Sequence, residues 1–155
     1  MPLSLRMKPE TLYKKYLTRL TLDRVYDAEV PQILNPEDAY RLLEPMSREA
    51  REVFTVLALD NRLYLAALDE IARGDTSSIP INVGEILKTV LVSNSYQFIV
   101  AHNHPSGDPT PSREDHSLTS RIEEAARILR LKCIDHIIVG DGRFYSMKEG
   151  RLRTC

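Results

Sequence analysis

The sequence is short of cysteine, of net charge and of long apolar runs, and each shortage removes a class of protein. Cys133 and Cys155 are the two cysteines in 155 residues. One lies inside an apolar run and the other ends the sequence, which gives no disulfide framework and no C-x-x-C metal pair. Cys133 reads as a small buried hydrophobe, and a cytoplasmic, reducing location fits. With 21 Lys and Arg against 22 Asp and Glu, the formal net charge is -1, so there is no overall pull toward nucleic acid, which ordinarily shows as a basic excess. The basic clusters, Lys8, Lys14, Lys15 and Arg19 and then Lys148, Arg151 and Arg153, are of the kind that is usually solvated surface. No apolar stretch nears the about 20 residues of a membrane span, and the first residues carry no signal-peptide core. The expectation is a cytoplasmic chain with no membrane partner. There is no internal repeat and no low-complexity tract.

What is present is ordinary globular material, 43% hydrophobic and 28% charged, in a length that suits one domain around a single core. Residues 1–12 read as an arm, and 17–30 alternate loosely as a strand does. Asn35-Pro36-Glu37-Asp38 supplies a cap, a proline at the first helical position and acids in the first turn. A helix should therefore run through Ala39, Leu42 and Leu43 and end before Pro45. Residues 53–59 and 63–67 flank Asp60-Asn61 as a β-hairpin. After a polar turn at 74–78, the spacing of Val83, Ile86, Leu87, Val90 and Leu91 is helical. Residues 97–101 form a buried-strand pattern that runs into His102, and the prolines of 105–111 end regular structure. Ser112 opens a further helix through Leu118, Ile122, Ala125, Ala126 and Leu129. Residues 134–139 are a strand, turned at Asp141-Gly142 into 144–147. Strands that alternate with three helices and include two hairpins predict an α/β sandwich on a mixed, partly antiparallel sheet.

His102-Asn103-His104 puts two imidazoles on one face of an extended chain, where both can reach one metal ion. Pro105 stops the strand, so the chain can loop away and return a third ligand. Asp115, in the first turn of the helix at Ser112, is the candidate. Ser112-x-x-Asp115 also reads as an N-terminal cap, and both readings stand. Two histidines and a carboxylate leave one tetrahedral position to water, the layout of catalytic zinc. Such chemistry needs a further carboxylate to move the proton. Glu52, just ahead of the strand at 53–59, is one candidate. Glu85 is its rival, although the helical pattern makes it a surface glutamate, and Glu49 and Glu44 are weaker. His136 lies in a buried-strand pattern and reads as a core histidine. His116 is turned about 100° from Asp115 on the helix. Gly140-x-Gly142 is turn chemistry, with no helix following that would make it a phosphate loop.

The run from Ala101 to Asp115, Ala-His-Asn-His-Pro-Ser-Gly-Asp-Pro-Thr-Pro-Ser-Arg-Glu-Asp, resembles the H-x-H-P...S-x-x-D signature of JAMM (MPN-type) metalloproteins. Its H-N-H-P-S-G-D form resembles the bacterial RadC family in particular. His104 and Asp115 stand eleven positions apart, as in that motif, and residues 135–142, Asp-His-Ile-Ile-Val-Gly-Asp-Gly, resemble a second RadC block. The resemblance covers residues 35–155 and leaves 1–34 as an N-terminal arm and first strand. It implies the α-β-α sandwich of the JAMM/MPN fold, which is similar to that of cytidine deaminases, and one zinc ion on His102, His104 and Asp115. It also implies Glu52 as the catalytic glutamate at the start of a core strand, and Ser112 as a contributor to oxyanion stabilisation.

The activity implied is a metallohydrolase that cleaves a peptide or isopeptide bond in a protein or peptide substrate. The same donors also suit iron, manganese or nickel. The competing reading is a DNA-associated repair or recombination module with an accessory metal. Balanced charge speaks against it, and consecutive His-Asn-His is not the dispersed HNH nuclease motif. Full-length RadC relatives carry a helix-hairpin-helix segment before this domain, and residues 1–34 show no such pattern. A deaminase would need H-x-E...P-C-x-x-C, which the sequence lacks.

Overall fold

The computed structural model describes residues 30–74 and 81–154. The arm and strand expected before residue 30, the basic cluster at 8–19 and most of the turn at 74–78 lie outside them.

Helix α1 spans Pro36–Leu43. The Asn35 side chain accepts from the Asp38 backbone N–H at 2.9 Å, Pro36 gives up an N–H that has no helical partner, and Glu37 and Asp38 suit the positive end of the helix. The helix stops ahead of Pro45 as predicted, but the chain winds on as a 3-10 turn over Glu44–Arg48. Pro45 sits near the start of that turn, where a missing N–H costs little.

Strands β1 (Glu52–Leu59) and β2 (Leu65–Gly74) form the predicted antiparallel hairpin. Asp60 organises its turn, accepting from Arg62 N at 2.8 Å and Tyr64 N at 2.9 Å. β2 continues past residue 67 to Gly74 because it is the edge strand paired to the whole of β1. Its outer half carries Asp69, Glu70 and Arg73, charges of the kind that blunt an exposed edge. Helix α2 (Val83–Val92), strand β3 (Gln97–Asn103), helix α3 (Arg113–Ile128), strand β4 (Lys132–Val139) and strand β5 (Arg143–Ser146) follow. A last strand, β6 (Arg151–Thr154), was not legible as a strand. It pairs antiparallel with β5, and Arg153 ties it to Glu149 and Glu37.

The sheet order is β2-β1-β3-β4-β5-β6. β3 and β4 are parallel and joined through α3, and the other pairs are antiparallel. One face packs Leu57, Leu59, Ile99, Ala101, Ile137 and Val139 against Ala39, Tyr40 and Leu43 of α1. The other packs Phe54, Val56, Phe98 and Val100 against Ile86, Leu87 and Val90 of α2 and Ile122 and Ala126 of α3. The molecule is thus an α-β-α sandwich on a mixed sheet. Strands covered on both faces explain the unbroken apolar runs at 53–59 and 97–101. Among the described residues no helix is long and apolar enough to cross a membrane.

Candidate metal centre

Strand periodicity decides which way the site faces. Phe98 and Val100 point to the α2 and α3 side of the sheet, so His102, two residues further along β3, emerges on that side beside α3. The chain then leaves the sheet. His104 N donates to Val139 O at 2.9 Å, Gly107 N returns to His104 O at 2.9 Å, and Asp141 N donates to Gly107 O at 3.0 Å. These bonds fasten the proline-rich loop along the end of β4 before it reaches Ser112.

At Ser112 the two readings of Asp115 merge. The serine hydroxyl accepts from Asp115 N at 3.1 Å, and Asp115 Oδ2 accepts from Ser112 N and Ser112 Oγ at 2.7 Å each, a reciprocal capping box. One carboxylate oxygen caps the helix. The other, Oδ1, lies 3.1 Å from His102 Nε2.

His102, His104 and Asp115 form a group that can hold a metal ion. His102 Nε2 and His104 Nε2 are 3.0 Å apart, and His104 Nε2 is 3.5 Å from Asp115 Oδ2. Two donors each about 2.0–2.1 Å from a tetrahedral zinc stand roughly 3.3 Å apart; His102 Nε2 is 3.0 Å from His104 Nε2 and 3.1 Å from Asp115 Oδ1, and the three donor atoms all lie within 4.8 Å of one another. His104 Nδ1 faces the Asp108 carbonyl at 2.8 Å. A carbonyl only accepts, so this nitrogen carries the hydrogen and Nε2 turns its lone pair into the cluster. The donor set therefore fits one zinc ion.

The charges are coupled. Burial raises the Asp115 carboxyl, but the close contacts with His102 and His104, the charge of His102 and the Ser112 N–H outweigh it and hold the group far below the usual carboxylate range. Burial works against the charged form of His104, and its contacts with Asp115 and Asp108 overcome it and raise the imidazole.

Glu52 arrives through strand register. Phe54 pairs with His102 across β1 and β3, and Glu52, two residues earlier on the same face, stands beside the cluster. Its Oε1 is 4.0 Å from His102 Nε2, with the side chain 22% exposed. Burial raises its carboxyl, while His102 and His104 pull it back. The other glutamates are engaged elsewhere: Glu85 with Lys88 on the surface of α2, Glu49 with Arg73, and Glu44 with Arg48. His116 is exposed. His136 is buried, as read from the sequence, but it also touches His102, with its Nε2 2.8 Å from His102 Nδ1. Burial first, and then the neighbouring His102, push its pKa well down. Cys133 packs against the α2 and α3 core, and burial followed by Glu123 and Asp135 pushes its thiol up to about 12.

Two supporting residues escaped the sequence reading. Asn103 is fully buried; its Oδ1 accepts from Val53 N at 2.7 Å and its Nδ2 donates to Arg51 O at 3.0 Å. The available signal was a polar residue inside an otherwise apolar strand. Gly140 is more than turn chemistry. A Cβ there would lie 2.5 Å from Gly107 O and 2.6 Å from Pro109 Cδ, so the loop between His104 and Ser112 rests directly on it. Gly142, with φ +63°, is the turn residue.

The family profile described as RadC-like JAB domain matches residues 33–152. Among similar proteins, a UPF0758 protein of Methanosarcina acetivorans is 38% identical over 119 residues, covering 76% of this chain and 52% of the relative. A UPF0758 protein of Moorella thermoacetica is 41% identical over 121 residues, covering 77% and 53%. That of Caldanaerobacter subterraneus subsp. tengcongensis is 41% identical over 118 residues, covering 76% and 51%. The chain spans about half the length of the curated relatives it matches. With the profile running through both halves of the sandwich and both sides of the His102, His104 and Asp115 cluster, the chain belongs to the RadC-like JAB domain family.

Proposed function

We propose that this chain is a zinc-dependent hydrolase that cleaves a peptide or isopeptide bond in a protein or peptide substrate. The observation that carries this reading is the placement of Glu52, whose Oε1 is 4.0 Å from His102 Nε2. It is a carboxylate beside the three-donor cluster yet outside the donor set, free to exchange a proton there.

Bound to these donors, zinc supplies Lewis acidity that lowers the pKa of water to about 7 and polarises a carbonyl. Glu52 accepts the proton of the attacking water and delivers it to the leaving nitrogen. The elevation of its carboxyl by burial suits a group that must both take and give a proton. Asp108 fixes the ring of His104 through the Nδ1 contact. Ser112 Oγ donates to the developing oxyanion. Its hydrogen rests on Asp115 Oδ2, so this role requires the hydroxyl to rotate while Ser112 N keeps its own bond to the same oxygen.

The test is Glu52→Gln, assayed on a mixture of synthetic peptides by mass spectrometry, with zinc measured in parallel. The variant is expected to keep its zinc and lose roughly 10²–10⁴-fold in cleavage rate. Cleavage at the parental rate would refute the role of Glu52, and no cleavage by the zinc-loaded parent would refute the hydrolase reading.

A further inference from the structure

His136 and Thr119 are absorbed by none of the roles above, yet they continue the hydrogen-bond chain that starts at the cluster. His102 Nδ1 lies 2.8 Å from His136 Nε2. His136 Nδ1 lies 2.7 Å from Thr119 Oγ1. Thr119 Oγ1 lies 2.7 Å from the Asp115 backbone carbonyl, one helical turn earlier on α3. We propose that Thr119 and His136 are positioning residues that fix the tautomer of His102, so that its Nε2 presents a lone pair to the metal.

The hydrogens along this chain can be placed in one way. The Asp115 carbonyl can only accept, so the Thr119 hydroxyl donates to it. Were the hydroxyl to point at His136 instead, two oxygens would face each other at 2.7 Å with no hydrogen between them. With its hydrogen so committed, Thr119 Oγ1 is an acceptor toward His136, and His136 Nδ1 carries the hydrogen. In a neutral imidazole the other nitrogen is then the acceptor. His136 Nε2 accepts from His102 Nδ1, and His102 Nε2 is left bare. Phe54 braces both rings, which are tilted 55° to each other: it stacks on His102 with centroids 5.9 Å apart and planes at 13°, and it meets His136 edge-on at 5.7 Å and 68°.

Asp115 is tied to the cluster at both ends of the chain, its carboxylate facing His102 and its carbonyl anchoring Thr119. Removing the Thr119 hydroxyl frees His136 to move its hydrogen to Nε2. That hydrogen then points at His102 Nδ1 and drives the His102 hydrogen onto Nε2, the atom a metal requires. Outer partners of this kind are typically worth 10–100-fold in metal affinity.

This inference rests on the reading of His102 as a metal ligand, and the test separates the two. Zinc affinity is measured by chelator competition on the full chain and on Thr119→Val and Thr119→Ser. The histidine tautomers of the zinc-loaded parent are read from long-range proton to nitrogen-15 correlations. Thr119→Val is expected to bind zinc about 10–100-fold more weakly, Thr119→Ser to restore parental affinity, and His136 to carry its hydrogen on Nδ1. Parental zinc affinity in Thr119→Val, or His136 with its hydrogen on Nε2, would overturn the relay and leave the metal centre standing. A parent chain that binds no zinc would overturn both. The tautomer measurement uses the unmutated protein and decides the matter even if Thr119→Val does not fold.

Discussion

Asn103 grips the backbone on both sides of Glu52, accepting from Val53 N at 2.7 Å and donating to Arg51 O at 3.0 Å. The middle residue of His-Asn-His therefore reaches across to the adjacent strand and locks the carboxylate's strand to the strand of the two histidines. Asn103→Ala leaves the Val53 N–H without its buried acceptor. Urea unfolding should show a loss of about 1–3 kcal/mol. Peptide cleavage should fall further than zinc content, because His102, His104 and Asp115 are untouched. Unaltered stability would show that the grip carries no weight.

Ser112 has two separable duties. Ser112→Ala removes the helix cap, with a cost of about 1 kcal/mol in thermal or urea unfolding. If the hydroxyl also serves the oxyanion, turnover of the zinc-loaded variant should drop by about 10²–10³-fold, far beyond what a frayed helix start explains. Parental turnover would confine Ser112 to capping and to orienting Asp115.

Gly140 and Gly142 should respond differently to the same substitution. Gly140→Ala drives a methyl group into Gly107 O and Pro109 and so displaces the loop whose Asp108 carbonyl holds His104. Zinc affinity should fall by about 10-fold or more. Gly142→Ala meets nothing within 4 Å and suffers only from its φ of +63°, a strain of about 1–2 kcal/mol, with zinc affinity retained. Chelator competition on the pair checks this.

Asp135 gives a pH dependence of stability with a definite sign. Burial raises its carboxyl, only partly offset by bonds from Ser146 Oγ, the Lys148 N–H and the His136 N–H. A folded-state pKa above the ordinary value of 3.8 means that the folded form holds this proton more tightly. The associated stability is fully present below the unfolded pKa and is lost as pH rises through the folded one. Asp135→Asn lacks this titration. Urea unfolding of the two proteins from pH 3 upward should show the parent losing stability relative to the variant as pH rises through the Asp135 range. A stability difference that does not change with pH would contradict the assignment.

The elements that announce themselves by periodicity or capping were legible in the sequence: α1 from Asn35-Pro36, the hairpin around Asp60, the α2 and α3 spacings, and the cap at Ser112. The outer half of β2 and all of β6 were not. Edge strands such as these are short or charged and take their conformation from a partner rather than from their own pattern. At the site, His102, His104 and Asp115 lie within one short stretch and could be found from local spacing. Glu52 could not be separated from Glu85 by spacing alone, since its proximity depends on the pairing of Phe54 with His102. Asn103, His136 and Gly140 act through partners 50, 34 and 33 positions away at Val53, His102 and Gly107. No local pattern encodes such contacts, and each needed the sheet register before its role could be read.

Under the proposed function His102, His104 and Asp115 hold one zinc ion. The most direct test is elemental analysis by mass spectrometry of the purified chain alongside His104→Ala. Close to one zinc per parent chain and almost none in the variant is the expected result, and equal zinc content in the two would contradict the three-ligand site.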